Sequence, residues 1–81
     1  MKLTYDPRHN IAYLRLVEPR GAAEVETIQV SDDLNVDVAP DGTVYGIELM
    51  NANEQLGGED DGLLIVINEA LGLRRELSLS E

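Results

Sequence analysis

Residues 34–50 read LNVDVAPDGTVYGIELM, two runs of alternating apolar and polar side chains around Ala39-Pro40-Asp41-Gly42. Pro40 pre-sets φ for a turn's first corner, Asp41 can bond its own backbone, and Gly42 tolerates positive φ. A β-hairpin follows, and its register decides which side chains meet. With a four-residue loop, Val38 faces Thr43, Val36 faces Tyr45 and Leu34 faces Ile47, so the large apolar groups share one side. Asp33, Asn35 and Asp37 then share the other side with Val44, Gly46 and Glu48, and Glu48 stands opposite Asp33. If Gly42 makes a one-residue bulge instead, Val36 faces Gly46 and Leu34 faces Glu48, which sets a carboxylate against leucine. An unpaired charge is costly to bury, so the four-residue loop is the expected arrangement. It gathers Asp33, Asp37 and Glu48 into an acidic strip.

The rest of the chain reads as further hairpins. Residues 2–5 alternate, with Leu3 and Tyr5 on one side; Asp6-Pro7-Arg8-His9-Asn10 is turn chemistry; residues 11–16 alternate again, with Ala12, Leu14 and Leu16 opposite Ile11, Tyr13 and Arg15. Glu18-Pro19-Arg20-Gly21 breaks the pattern, and β-branched content makes residues 24–30 a strand. Asn51 is a candidate cap for a single helical turn closed by Gly57, with Ala52 and Leu56 facing inward. Residues 59–62 read as a solvated loop. Ile65-Val66-Ile67 and Gly72 point to a third hairpin turning near residues 69–72, with a helix over residues 68–77 as the competitor.

The expected fold is therefore mainly β, an antiparallel meander of hairpins with at most one short helical turn. The alternative is α+β with a C-terminal helix. All 81 residues form one expected small domain. One sheet of this size has an apolar face that needs cover, and exposed edges make a symmetric homodimer an expectation.

Composition narrows the function classes. No cysteine is present to form a disulfide or thiolate site, and Phe and Trp are absent, so the core must be aliphatic. Sixteen acidic against six basic residues give a formal charge of -10, which disfavours nucleic acid and anionic membranes as partners. The same charge suits a basic protein partner or a divalent cation, and also suits simple solubility. No apolar run approaches membrane-spanning length and no signal-peptide core follows Met1-Lys2, so a cytoplasmic location is expected.

Few residues carry a chemical signal. Asp33, Asn35 and Asp37 begin like a calcium-binding loop, but Val38 and Val44 occupy the positions where that loop needs Gly and Glu. On a strand, Asp33, Asp37 and Glu48 form either a solvated outer face or a loose oxygen-ligand site. His9, the single histidine, lies in a turn near Asp6 and reads as a surface residue. No nucleophile–base set is evident, the glycines lack a phosphate-loop pattern, and Arg74-Arg75 read as edge charges that discourage aggregation.

Tyr5-Asp6, Ala12-Tyr13-Leu14-Arg15-Leu16, Asn35-Val36-Asp37, Asp41-Gly42 and Tyr45-Gly46-Ile47-Glu48-Leu49 together follow one pattern. It resembles the bacterial family catalogued as domain of unknown function 2283, over residues 1 to about 56. The segment holding Ile67-Asn68-Glu69-Ala70-Leu71-Gly72 and Arg74-Arg75-Glu76-Leu77 resembles an extension found in a subset. The resemblance supplies no catalytic residue. It implies an antitoxin-like role, because members are similar to proteins sometimes encoded beside small toxins.

The expected function is a non-enzymatic protein-interaction module whose Asp33, Asp37 and Glu48 meet a basic partner. The alternatives are a divalent-cation site on those carboxylates and an enzyme using a carboxylate pair. No catalytic residue, cofactor or metal ligand is assigned.

Overall fold

The computed structural model describes residues 1–18, 24–58 and 61–79. Among these residues, seven strands and one short helix follow in chain order: β1 Lys2–Asp6, β2 Ile11–Arg15, β3 Glu26–Ser31, β4 Leu34–Val38, β5 Val44–Met50, α1 Ala52–Gly57, β6 Leu63–Asn68 and β7 Leu73–Ser78. The first five make an antiparallel sheet in the order β1-β2-β5-β4-β3, and β6-β7 form a separate hairpin. The mainly β fold of hairpins with one short helix is as expected, and residues 69–72 close the third hairpin. The break expected from Glu18 onwards falls, at residues 19–23, outside the described residues, as do residues 59–60 of the expected loop.

Local chemistry explains the turns. The Asp6 carboxylate accepts from the Arg8 N–H at 2.9 Å, and Asn10 closes that turn at φ 55. Asn68 does the same at the β6–β7 turn, accepting from the Ala70 and Leu71 N–H groups. In the central hairpin, Gly42 at φ 91 donates to the Ala39 carbonyl, while the Ala39 N–H donates to the Thr43 carbonyl. The loop is therefore three residues, Pro40-Asp41-Gly42, with glycine in the left-handed position that an L side chain resists.

This loop corrects the expected register. Asp37 pairs with Gly46, Val36 with Ile47, Asn35 with Glu48 and Leu34 with Leu49, while Val38 pairs with Val44. Tyr45 is the extra residue of a β-bulge, and its carbonyl accepts from both Leu16 and Val17 N–H groups. The bulge shifts pairing by a second residue, so the faces expected for residues 34–37 and 46–49 survive although the partners change, while Val44, expected on the acidic side, pairs with Val38. Glu48 stands beside Asn35 rather than opposite Asp33. A two-residue slip keeps every side chain on its original face, where a one-residue slip would not.

Across the sheet, register places Leu3, Leu14, Ile47, Val36 and Ile28 in one row, one residue per strand. The next row on this apolar face holds Tyr5, Ala12, Leu49 and Leu34. The buried hydrophobic residues among those described are Ala12, Ala52 and Leu79. They mark the end of the apolar face where α1 and the base of β6-β7 meet the sheet. There the Tyr5 hydroxyl donates to the Leu79 carbonyl at 3.3 Å.

Asn10 ties this end together. Its side-chain oxygen accepts from the Asn53 N–H at 2.9 Å, its amide donates to the Asn51 and Asn53 side chains, and its carbonyl accepts from the Ala52 N–H. Asn51 lies in the left-handed region with no side-chain cap bond to the helix backbone; its amide donates to the Glu54 carboxylate instead. The start of α1 is thus held by Asn10 and not by the expected Asn51 cap. The helix does bury Ala52, while Leu56 is half-buried. Among the described residues no helix is long and apolar enough to cross a membrane.

Two outcomes follow for stability. Asn10→Ala loses both the clamp and the residue type suited to φ 55, and is expected to cost ~1–3 kcal/mol in urea unfolding. Asn10→Gly keeps the backbone freedom and should cost less. At the central loop, the Thr43 N–H bonded to Asp41 holds that carboxyl below the ordinary aspartate range. A lowered folded pKa stabilises above the unfolded value, so this contribution is lost as pH falls through the folded pKa. Asp41→Asn should flatten that part of the acid limb of a stability-versus-pH curve.

Candidate functional site

Antiparallel pairing puts partnered residues on the same side of a sheet. Opposite the apolar rows, the register therefore aligns Thr4, Tyr13, Glu48, Asn35 and Gln29, and next to them Lys2, Arg15, Gly46, Asp37 and Thr27. Residues from three separate stretches, around Tyr13, Asp37 and Glu48, thus come together only through the β2–β5 and β4–β5 ladders.

Gly46 makes the arrangement feasible. A Cβ built there would lie within 2.6 Å of Tyr13 ring carbons, so the ring lies across the glycine and any side chain would displace it. From that position the Tyr13 hydroxyl donates to Asp37 Oδ2 at 2.7 Å, and the Thr27 hydroxyl donates to Asp37 Oδ1 at 2.7 Å. One carboxylate so ties β2, β4 and β3 together. The Asn35 amide donates to Glu48 Oε1 at 3.2 Å. The Arg15 guanidinium sits 5.3 Å from the centre of the Tyr13 ring, a cation–π distance.

Asp37 and Glu48 are half-buried diagonal neighbours on this face. Both are held by neutral donors, and neither has a cation within ion-pair distance among the described residues. The ion pairs found there are His9–Asp6, Arg15–Glu18 and Arg74–Glu76. Asp33 is exposed and lies beyond β4 in the β3–β4 turn. Its carbonyl accepts from the Met50 N–H and the Gln55 side chain, which ties that turn to the end of β5. Of the expected strip, the structure brings together Asp37 and Glu48 and leaves Asp33 at the margin.

Among the described residues no group of three or more His, Cys, Asp or Glu side chains is placed to hold a metal ion. His9 lies on the surface with its Nδ1 2.7 Å from Asp6 Oδ2, beside an open cleft of about 390 Å³ lined in part by Arg8, Asn10 and Asn53. This bond to His9 is the main reason the Asp6 carboxyl lies below its usual range.

Sequence reasoning missed Tyr13 and Thr27. Alternation did set Tyr13 on the side opposite Ala12 and Leu14, but nothing local joins β2 to β5. Glycine within an otherwise regular strand run was the one available signal of a close approach.

The Tyr13 phenol is pushed above its ordinary pKa, first by burial and then by its bond to the Asp37 carboxylate. A raised folded pKa stabilises below the unfolded value, so the contribution is lost as pH rises through the folded pKa. Phenolate absorbance should therefore show a component titrating above free tyrosine that is absent in Tyr13→Phe and shifted down in Asp37→Asn. Gly46→Ala should displace the ring, remove that shift and cost ~1–3 kcal/mol in stability.

No curated protein and no solved structure matches the chain. A family described as "Protein of unknown function (DUF2283)" matches residues 2–53, which includes β1 to β5 and every residue of the polar face described above. With well over half of its length matched, the chain belongs to the DUF2283 family.

Proposed function

We propose that the chain is a non-enzymatic protein-interaction module whose polar sheet face receives a basic surface of a partner protein. One observation carries this reading. Asp37 and Glu48 are fixed by the neutral donors Tyr13, Thr27 and Asn35, and no ion pair neutralises them among the described residues. Ordering carboxylates in advance lowers the entropy lost when a lysine or arginine docks, and leaving them without a cation preserves their charge for that partner. The chain's formal charge of -10 adds long-range attraction for a basic partner. Asp33, at the margin of the face, extends the negative surface. An antitoxin-like role, in which the partner is a small basic toxin, is the specific form of this proposal.

The test is capture of partners from extract of the native cell, with the double variant Asp37→Asn, Glu48→Gln alongside the unaltered chain. The expected result is a basic protein retained by the unaltered chain, released by raised salt, and lost with the double variant while the circular dichroism of the sheet is unchanged. Equal retention by both chains removes the polar face from the account.

A further inference from the structure

The opposite face carries a second, independent signal. In the row Leu3, Leu14, Ile47, Val36 and Ile28, no side chain is buried, and Ile28 is 47% exposed. This is an aliphatic stripe across all five strands of the sheet. The β6-β7 arm behaves the same way. Leu63, Ile65 and Ile67 alternate with Leu64 and Val66, so β6 is apolar on both of its faces, a pattern suited to burial on both sides. Yet Val66, Ile67, Leu73 and Leu77 are each more than half exposed. A two-stranded hairpin alone in water is marginal, so this arm needs a surface to lie against. Its base adjoins the apolar face, where Tyr5 bonds the Leu79 carbonyl.

We propose that two copies of the chain pack apolar face to apolar face, with each β6-β7 arm adding to the same interface. The area supports a second copy as the occupant. A folded monomer of 8.9 kDa is expected to expose about 4,800 Å². This chain exposes 6038 Å², and its radius of gyration of 14.2 Å exceeds the ~12 Å of a compact chain of its length. The surplus of about 1,200 Å² per chain is more than the ~800 Å² each partner gives to a standard stable interface, and doubled it reaches the range of obligate homodimers. Charge also permits self-association. Among the strand residues on the apolar face only Glu26 is charged, while Asp37 and Glu48 point away on the other side. Two copies can therefore meet without bringing Asp37 or Glu48 together, and both polar faces stay outside; Glu26 is exposed at the start of the edge strand β3, and the arms bring Arg74, Arg75 and Glu76, charges of both signs. The inference uses the face that the proposed partner contact does not.

Sedimentation equilibrium of the full chain at micromolar concentration tests it. The expected mass is twice 8.9 kDa, and a monomer overturns the proposal. Ile28→Glu, at an already half-exposed site, should give a species of 8.9 kDa that keeps its β circular dichroism. Should that variant fail to fold, methyl contacts between labelled and unlabelled copies of the unaltered chain decide by nuclear Overhauser effects. Contacts joining Leu14, Val36 or Ile47 of one copy to the apolar face or arm of the other are the expected result. Intermolecular contacts confined to the β1 or β3 edges overturn it, as does a dimer that persists in Ile28→Glu. Partner capture by the polar face is read separately, so neither result stands in for the other.

Discussion

The ladder between β4 and β5 decides where nearly every other side chain goes. Paired residues in an antiparallel sheet lie on one side, so shifting the pairing by one position would exchange apolar and acidic groups between faces. The glycine loop at Gly42 makes one such shift, and by itself it would set Glu48 beside Leu34. The bulge at Tyr45 makes a second and restores the division, with Val36 against Ile47 and Asn35 against Glu48. The cost of burying an uncompensated carboxylate is the physical reason the two irregularities belong together. Since β5 is the middle strand, β2 inherits the same division from it directly and β1 and β3 inherit it through their neighbours.

A single sheet with such a division has a consequence for stability. Among the described residues, Ala52 of α1 and Leu79 cover one end of its apolar face, and the buried hydrophobic residues amount to two alanines and a leucine. Hydrophobic burial is the dominant favourable term in folding, and a chain of this length without disulfides has little else to replace it. The hydrogen bonds of Asn10 and Asp37 organise the fold, but each net contribution is on the order of 1 kcal/mol. The proposed second copy, lying over the aliphatic row, would supply burial of the size a single copy lacks.

On the polar face, one set of residues holds the sheet together and carries the proposed recognition. Asp37 joins three strands through Tyr13 and Thr27, and Gly46 leaves room for the ring that makes this reach. Because the groups that fix Asp37 and Glu48 are uncharged, the negative charge is positioned without an ion pair among the described residues. Several residues through which the sequence resembles its family, namely Tyr13, Asn35, Asp37, Gly46 and Glu48, lie together on this face. Their grouping has a packing cause in the fit of Tyr13 over Gly46, as well as the proposed role in binding.

Much of this was legible from local order along the chain. Alternation determined which residues share a face within each strand, and turn residues such as Asp6, Gly42 and Gly72 determined where strands reverse, because both depend on neighbours a few positions away. The tertiary structure decided the rest: the Tyr45 bulge, the pairing of β2 with β5, the Asn10 clamp on α1 and the meeting of Tyr13 with Asp37. Each depends on hydrogen bonds between segments distant in sequence, whose register is chosen by the total burial of apolar groups and solvation of charge. No short stretch of sequence contains that balance. The sequence by itself therefore determined the two faces, and only the assembled sheet decided which residues stand side by side on them.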